Sequence, residues 1–238
     1  DLPTGALNDT ADTPTCSREE TSLMTFDRIA RPLLVAIGLA MVAYHMASSQ
    51  VVLAGYVENQ AIHLAFVLIL IFLDGAIRST ITSERLVNFG FIAASLIAVG
   101  YVYFNVEYLE ESVGFPSQTG VIMGTLLVAV VIEATRRGWG TILPIVALIF
   151  IAYFLFGHWL GGPLSHTEFK YAFVISYLGI GLTGIFGQFL SISADQVFLF
   201  VVFGSLLSVI KINDLFFELG KGVGRYFSGG PGQTAVIS

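Results

Sequence analysis

The side chains able to do chemistry in this sequence are few, and two carboxylates near the ends of apolar segments stand at helical spacing from an opposite charge. Asp74 precedes Arg78 by four residues, and Glu133 precedes Arg136 and Arg137 by three and four, the separations that bring side chains onto one helix face. A carboxylate inside an apolar segment is a functional candidate by default, as a proton carrier or ion ligand. With a guanidinium one turn away, its ordinary role is an interfacial ion pair, and Asp74–Arg78 and Glu133 with Arg136 and Arg137 are read that way. Asp195 stands just before an apolar run. There a carboxylate caps the helix by accepting from its free N–H groups, an ion site being the alternative.

His45, His63, His158 and His166 are not paired at the helical metal spacing and have no Cys or carboxylate cluster beside them, so they are read as interfacial residues. The segment "GKGVG" at 220–224 lacks the Walker spacing and the Ser or Thr after Lys, which removes ATP hydrolysis. No Ser/His dyad or metal motif stands out, so the chain is not read as an intramembrane enzyme, and no cofactor is implied. Cys16 is the single cysteine, which rules out a disulfide framework within the chain. Glu107, Glu110 and Glu111 form an acidic edge. A solvated loop is its plain meaning, and a docking contact for basic groups of a partner protein is its functional one.

The elements that hold these residues are apolar. Hydrophobic residues make up 55% of the chain and charged ones 12%, with a mean hydropathy of +0.81, too little polar surface for a water-soluble domain of this size. A bilayer crossing needs roughly 20 apolar residues. Segments 33–53, 61–77, 86–104, 119–134 and 139–157 meet that need, and a sixth crossing is expected from either 171–189 or 196–210. The fold class is therefore all-α, a polytopic membrane protein with about six transmembrane helices.

Charge sets the expected orientation. With Arg28 and Arg31 on the cytoplasmic side, the connection after the first span carries no Lys or Arg, Arg78 and Arg85 return inside, the acidic 105–118 loop is outside, and Arg136 and Arg137 are inside again. Lys211, Lys221 and Arg225 join them only if one of the two remaining segments crosses. The cleaner run, 196–210, is taken as the crossing element. Segment 171–189, broken by Gly179, Gly181, Gly184 and Gly187, becomes a helix or helix pair along the outer interface or bent within protein. In the alternative both segments cross, and Lys211, Lys221 and Arg225 fall outside. On the favoured topology Lys170 alone among the 11 basic residues lies outside, and the amino terminus is cytoplasmic.

Residues 1–27 read as a flexible cytoplasmic tail rather than a signal peptide, since no basic leader and apolar core with a cleavage site is present. Two modules follow, 28–135 with four helices and 136–238 of different texture, joined at the turn "EATRRGWG". The net charge of −6 is scattered over tail and loops, and nothing in it suits nucleic acid.

From Trp139 the ordered succession "WGTILPIVALIFIAYFLFGHWLGGPLSH", "GIFGQFLSISADQVFLFVVFGSLL" and "INDLFFELGKGVGRYFSGGPGQTAVIS" resembles the opening of the large membrane subunit of tripartite ATP-independent periplasmic (TRAP) transporters. The likeness is closest to the fused permeases, in which a small four-helix subunit precedes the large one in one polypeptide. It implies a secondary transporter of the bacterial inner membrane. Such a transporter uses a sodium gradient to import small organic anions, carboxylates among them, delivered by an extracytoplasmic binding protein of the TAXI type. It also implies an elevator mechanism, in which arm helices and the small module form the scaffold and re-entrant hairpins carry the substrate.

On that likeness Gly229, Gly230 and Pro231 open the first hairpin and Ser238 belongs to its first half. Physics allows this, because a glycine–proline break followed by Gln233, Thr234 and Ser238 lets non-helical backbone offer dipoles and carbonyls where protein surrounds it. A plain cytoplasmic turn leading into another span is the alternative. The family continues past the position of Ser238 into most of its sodium and substrate residues. This stretch is therefore expected to supply mainly scaffold and not to transport by itself. A non-transporting assembly subunit remains the competing class. The substrate is not legible in these residues.

Overall fold

The structure is a computed structural model and describes residues 15–224. Gly229, Gly230, Pro231 and Ser238 lie outside the described residues. All described regular structure is helical. Among the described residues, six stretches are long and apolar enough to cross a bilayer: Arg28–Ser48, Tyr56–Arg78, Thr82–Phe104, Gln118–Trp139, Ile142–Trp159 and Gln188–Val209. At about 1.5 Å per residue, a 23-residue helix such as Tyr56–Arg78 spans about 35 Å, enough for a hydrocarbon core of about 30 Å. Helices suit that solvent because each satisfies its own backbone.

The first span is the main part of α1 (Thr15–Ser48), which begins upstream of the point where the tail is expected to end. Then come α2 (Tyr56–Arg78), α3 (Thr82–Phe104), the short α4 (Val106–Glu111), α5 (Gln118–Trp139) and α6 (Ile142–Phe156). Their ends follow local chemistry. Ser117 caps α5 by accepting from the Gly120 amide at 3.1 Å, and Gly140 at φ 81° closes it in a conformation that β-carbons resist. Pro144 sits in the first turn of α6, where its missing N–H costs no helical bond.

Alternating spans place Arg78, Arg85, Arg136 and Arg137 at one end of the bundle, the arginine end, and α4 with Glu107, Glu110 and Glu111 at the other, the acidic end. The central helix is α2, with 44% of its apolar window buried, against 11% for the α6 span and 6% for the last one. Leu68 and Phe72 of α2 pack with Ala98, Val99 and Val102 of α3 and Leu127, Val130 and Ala134 of α5.

Segment 171–189 is bent within the protein, one of the two forms expected. Helix α7 (Tyr171–Ile175) passes into a π-helical turn (Ser176–Ile180), the chain breaks over 181–187, and α8 (Gln188–Ile192) starts the last span. That span continues through a second π turn (Ser193–Val197) into α9 (Phe198–Val209), so the crossing begins well before residue 196; α10 (Ile212–Gly224) follows at the arginine end. The break bonds to itself: the Ile185 amide donates to the Leu178 carbonyl at 2.9 Å and the Gly187 amide to Gly184 at 3.0 Å. Phe186 and Ile180 plug it into the core beside α2 and α5.

Backbone contact fixes the break against α5. A β-carbon on Gly179 would lie 2.7 Å from the Gly124 carbonyl oxygen and 2.9 Å from its Cα, backbone atoms that cannot swing aside. Close approach through paired glycines is a common means of helix association in lipid. Gly179→Ala is expected to cost about 1–3 kcal/mol through overpacking, read as a lower unfolding midpoint in mixed micelles. Gly38→Ala, where an added β-carbon meets nothing within 4 Å, should leave the midpoint unchanged or raise it.

Candidate functional site

Two polar clusters occupy opposite ends of this apolar bundle. At the acidic end, the last turns of α1 carry Tyr44, His45 and Ser48, the first turns of α2 carry Asn59 and His63, and the last span brings Ser191, Ser193 and Asp195 across from them. His45 and His63 are 2% and 3% exposed, and their rings meet, with His63 Nδ1 2.9 Å from His45 Nε2. His45 Nδ1 lies 2.9 Å from the Met41 carbonyl, and His63 Nε2 lies 3.3 Å from Ser193 Oγ. The Phe198 ring closes over both, its centroid 4.7 Å from that of His45 and 5.8 Å from that of His63.

Beside the imidazoles runs a second chain of bonds. Asn59 Nδ2 donates to Asp195 Oδ1 at 2.7 Å, and Ser191 Oγ donates to Asp195 Oδ2 at 3.1 Å. Asn59 Oδ1 accepts from Tyr44 Oη at 3.1 Å and from Ser48 Oγ at 3.3 Å. The π turn makes this arrangement possible. Within it Ser193 meets His63 and Asp195 meets Asn59, both on α2, and such turns recur where a helix carries function.

Asp195 is therefore not a cap. Its helix begins at Gln188, so the carboxylate sits inside the span, bonded to side chains rather than to free amide groups. The histidines also depart from the expectation of unpaired interfacial residues, because the pair forms between helices and not along one. Ser193 and His63 are 130 positions apart and still form the Ser/His contact that no local motif reveals. The signal present in the sequence was polar residues in the end turns of three apolar segments.

His166 is separate. It lies in the loop after α6, its Nε2 2.9 Å from the Tyr153 carbonyl and its Nδ1 2.6 Å from the Thr167 carbonyl. Two acceptors facing both ring nitrogens favour the doubly protonated ring, which raises its pKa above the ordinary histidine value. Among the described residues, no group of three or more His, Cys, Asp or Glu is placed to hold a metal ion.

At the arginine end, Asp74 and Arg78 pair at 2.7 Å on the surface, a contact worth about 0.3–0.5 kcal/mol. Glu133 is more enclosed and takes Arg136 and Arg137, each at 2.7 Å. Arg137 also donates to Oδ1 of the buried Asn88, and its guanidinium lies 5.1 and 5.3 Å from the stacked rings of Phe72 and Phe91. One arginine thereby ties α5 to α2 and α3. Asn88 and the two rings were absent from the sequence-level site. Beside Arg136 and Arg137, a cleft of about 360 Å³ opens against Ser79, Ser83 and Glu84.

The three acidic-edge residues share one side of α4. Leu109 anchors that helix in the core, while Glu107, Glu110 and Glu111 are exposed.

Six apolar spans with polar side chains gathered inside one end define a multi-pass α-helical membrane protein. Compared with protein-family models, curated proteins and solved structures, the chain matches none.

If the histidine contact is cohesive, His45→Ala and His63→Ala should each cost about 2–4 kcal/mol through a cavity and an orphaned ring nitrogen. The double variant should lose less than the sum by about 0.5–3 kcal/mol, as measured by unfolding midpoints in mixed micelles.

Proposed function

We propose that the chain is the scaffold-bearing part of a fused TRAP-type permease, a sodium-driven secondary transporter that imports small organic anions handed over by a TAXI-type binding protein. The observation that carries this reading is the interrupted helix. A glycine-rich break lies against α5 within a six-span bundle, the tolerated form of irregular backbone in transporters. The polar cluster supports it, since His63 and Asn59 of 28–135 bond to Ser193 and Asp195 of 136–224. A small module fused to a large one needs such a joint if both are to act as one fixed scaffold.

Arg78, Arg85, Arg136, Arg137, Lys211 and Lys221 share one end and Lys170 lies toward the other, which favours a cytoplasmic arginine end and an extracytoplasmic acidic end in a bacterial inner membrane. The exposed carboxylates of Glu107, Glu110 and Glu111 then face the compartment of the binding protein and offer it a docking charge. No catalytic role is proposed. Ser193 serves as a hydrogen-bond partner of His63, so a fluorophosphonate probe that marks nucleophilic serines should leave it unlabelled.

The test uses proteoliposomes carrying the full permease together with its binding protein and a labelled carboxylate ligand. Uptake should require an inward sodium gradient, and replacing all three glutamates with Gln should weaken capture of the loaded binding protein by about tenfold at low salt. Uptake indifferent to sodium would overturn the transport reading. Unchanged capture would remove the docking role alone.

A further inference from the structure

With both rings neutral, the hydrogen bonds of the two histidines run in only one consistent direction. The Met41 carbonyl can only accept, so the His45 nitrogen 2.9 Å away, Nδ1, carries a proton. A neutral His45 then presents a bare Nε2, and His63 Nδ1 at 2.9 Å must donate to it. This leaves His63 Nε2 bare, and the Ser193 hydroxyl at 3.3 Å donates to it. A single carbonyl thus sets the tautomer of two buried rings.

Of the two ends of this chain of bonds, only one is reversible. The carbonyl cannot become a donor, but a hydroxyl can turn from donor to acceptor without moving its oxygen. We propose that the His45–His63 pair is a proton-binding site that takes up a single proton as one unit, with Ser193 as the group that turns and Asp195 as the counter-charge. The incoming proton, delivered by water, forms an N–H bond at His63 Nε2. The Ser193 oxygen then accepts from that N–H, and no bond between heavy atoms changes.

Once held, the charge is shared along the short N–H···N contact between the rings. It goes no further, because the Met41 carbonyl ends the chain, so the pair stores a proton and does not conduct one. A second proton would place a hydrogen on both facing nitrogens 2.9 Å apart and two like charges in one buried site, and the pair therefore stops at one. Of the surrounding groups, α2 contributes Asn59, α9 contributes Phe198 and α1 contributes Tyr44. Tyr103 of α3 lies within electrostatic reach of Tyr44. Among the described residues, Asp195 is the one carboxylate bonded into the cluster. It is exposed on its outer side and fixed by Asn59 one helical turn from His63, which gives the proton both an entry edge and a balancing charge.

The proposal is independent of the transport reading and is tested without a transport assay. The full chain, carrying His158→Gln and His166→Gln so that only the pair reports, is labelled with ¹⁵N-histidine in lipid nanodiscs and followed by NMR from about pH 8 to about pH 4.5. Both rings should show the Nδ1–H tautomer at the alkaline end, then change together in one step that totals one proton per chain. Asp195→Asn should move that step to about tenfold higher proton concentration. An Nε2–H tautomer on either ring, two protons taken up, or no uptake while the chain stays folded would each overturn the site. A step unmoved by Asp195→Asn would overturn the counter-charge.

Discussion

Hydrocarbon offers no hydrogen bonds, so a polar group held within this bundle is costly unless it finds its partner in the protein itself. Most of the chain meets that constraint trivially, as apolar helix. The irregular segment and the polar clusters at the two ends are bonded within the protein, while the side-chain amide of the fully buried Gln60 has no hydrogen-bond partner among the described residues. The break over 181–187 turns its amides onto its own carbonyls and is sealed by Phe186 and Ile180. Asp195 is bonded from Asn59 and Ser191, and Arg137 is satisfied by Glu133, Asn88 and two aromatic faces.

The same constraint makes these groups the joints between elements. Apolar contacts between helices compete with equally apolar lipid tails, so close packing and interhelical hydrogen bonds have to specify the arrangement. Gly124 against Gly179 and Ile180 fixes the break on α5. The imidazole and amide bonds fix the last span on α1 and α2 at the acidic end, and Arg137 fixes α5 on α2 and α3 at the arginine end. Among the described residues, the peripheral α6 and α9 make no comparable polar joint to another spanning helix, and their large side chains, Phe150, Phe200 and Phe203 among them, are exposed where lipid or further protein would cover them.

Much of the architecture was legible in the residues because hydropathy and charge act along the chain. Spans, their alternation and the failure of 171–189 to run as one straight helix followed from apolar length, from the placement of Lys and Arg, and from Gly179, Gly181, Gly184 and Gly187. The acidic-end cluster was hidden because its chemistry acts across the chain. His45 and His63 are 18 positions apart, and Asn59 and Asp195 are 136 apart. Asp195 before an apolar run looked like a cap because the helix was started too late. The segment from Gln188, weakly apolar and rich in serine, is held helical by its neighbours rather than by its own hydropathy. At the arginine end local spacing did serve, since Asp74–Arg78 and Glu133 with Arg136 and Arg137 are pairs within single helices.

That an irregular segment is kept internally bonded inside the bundle is tested most directly by hydrogen–deuterium exchange of the chain in lipid nanodiscs, resolved over residues 178–190. The amides of Gly184, Ile185, Gly187 and Leu190, all bonded within the segment, should exchange as slowly as those of the flanking helices, and far more slowly than those of Gly161 and Thr167 in the exposed loop after α6. Exchange in the break as fast as in that loop would mean that its backbone is open to water, and would contradict a docked, self-satisfied interruption.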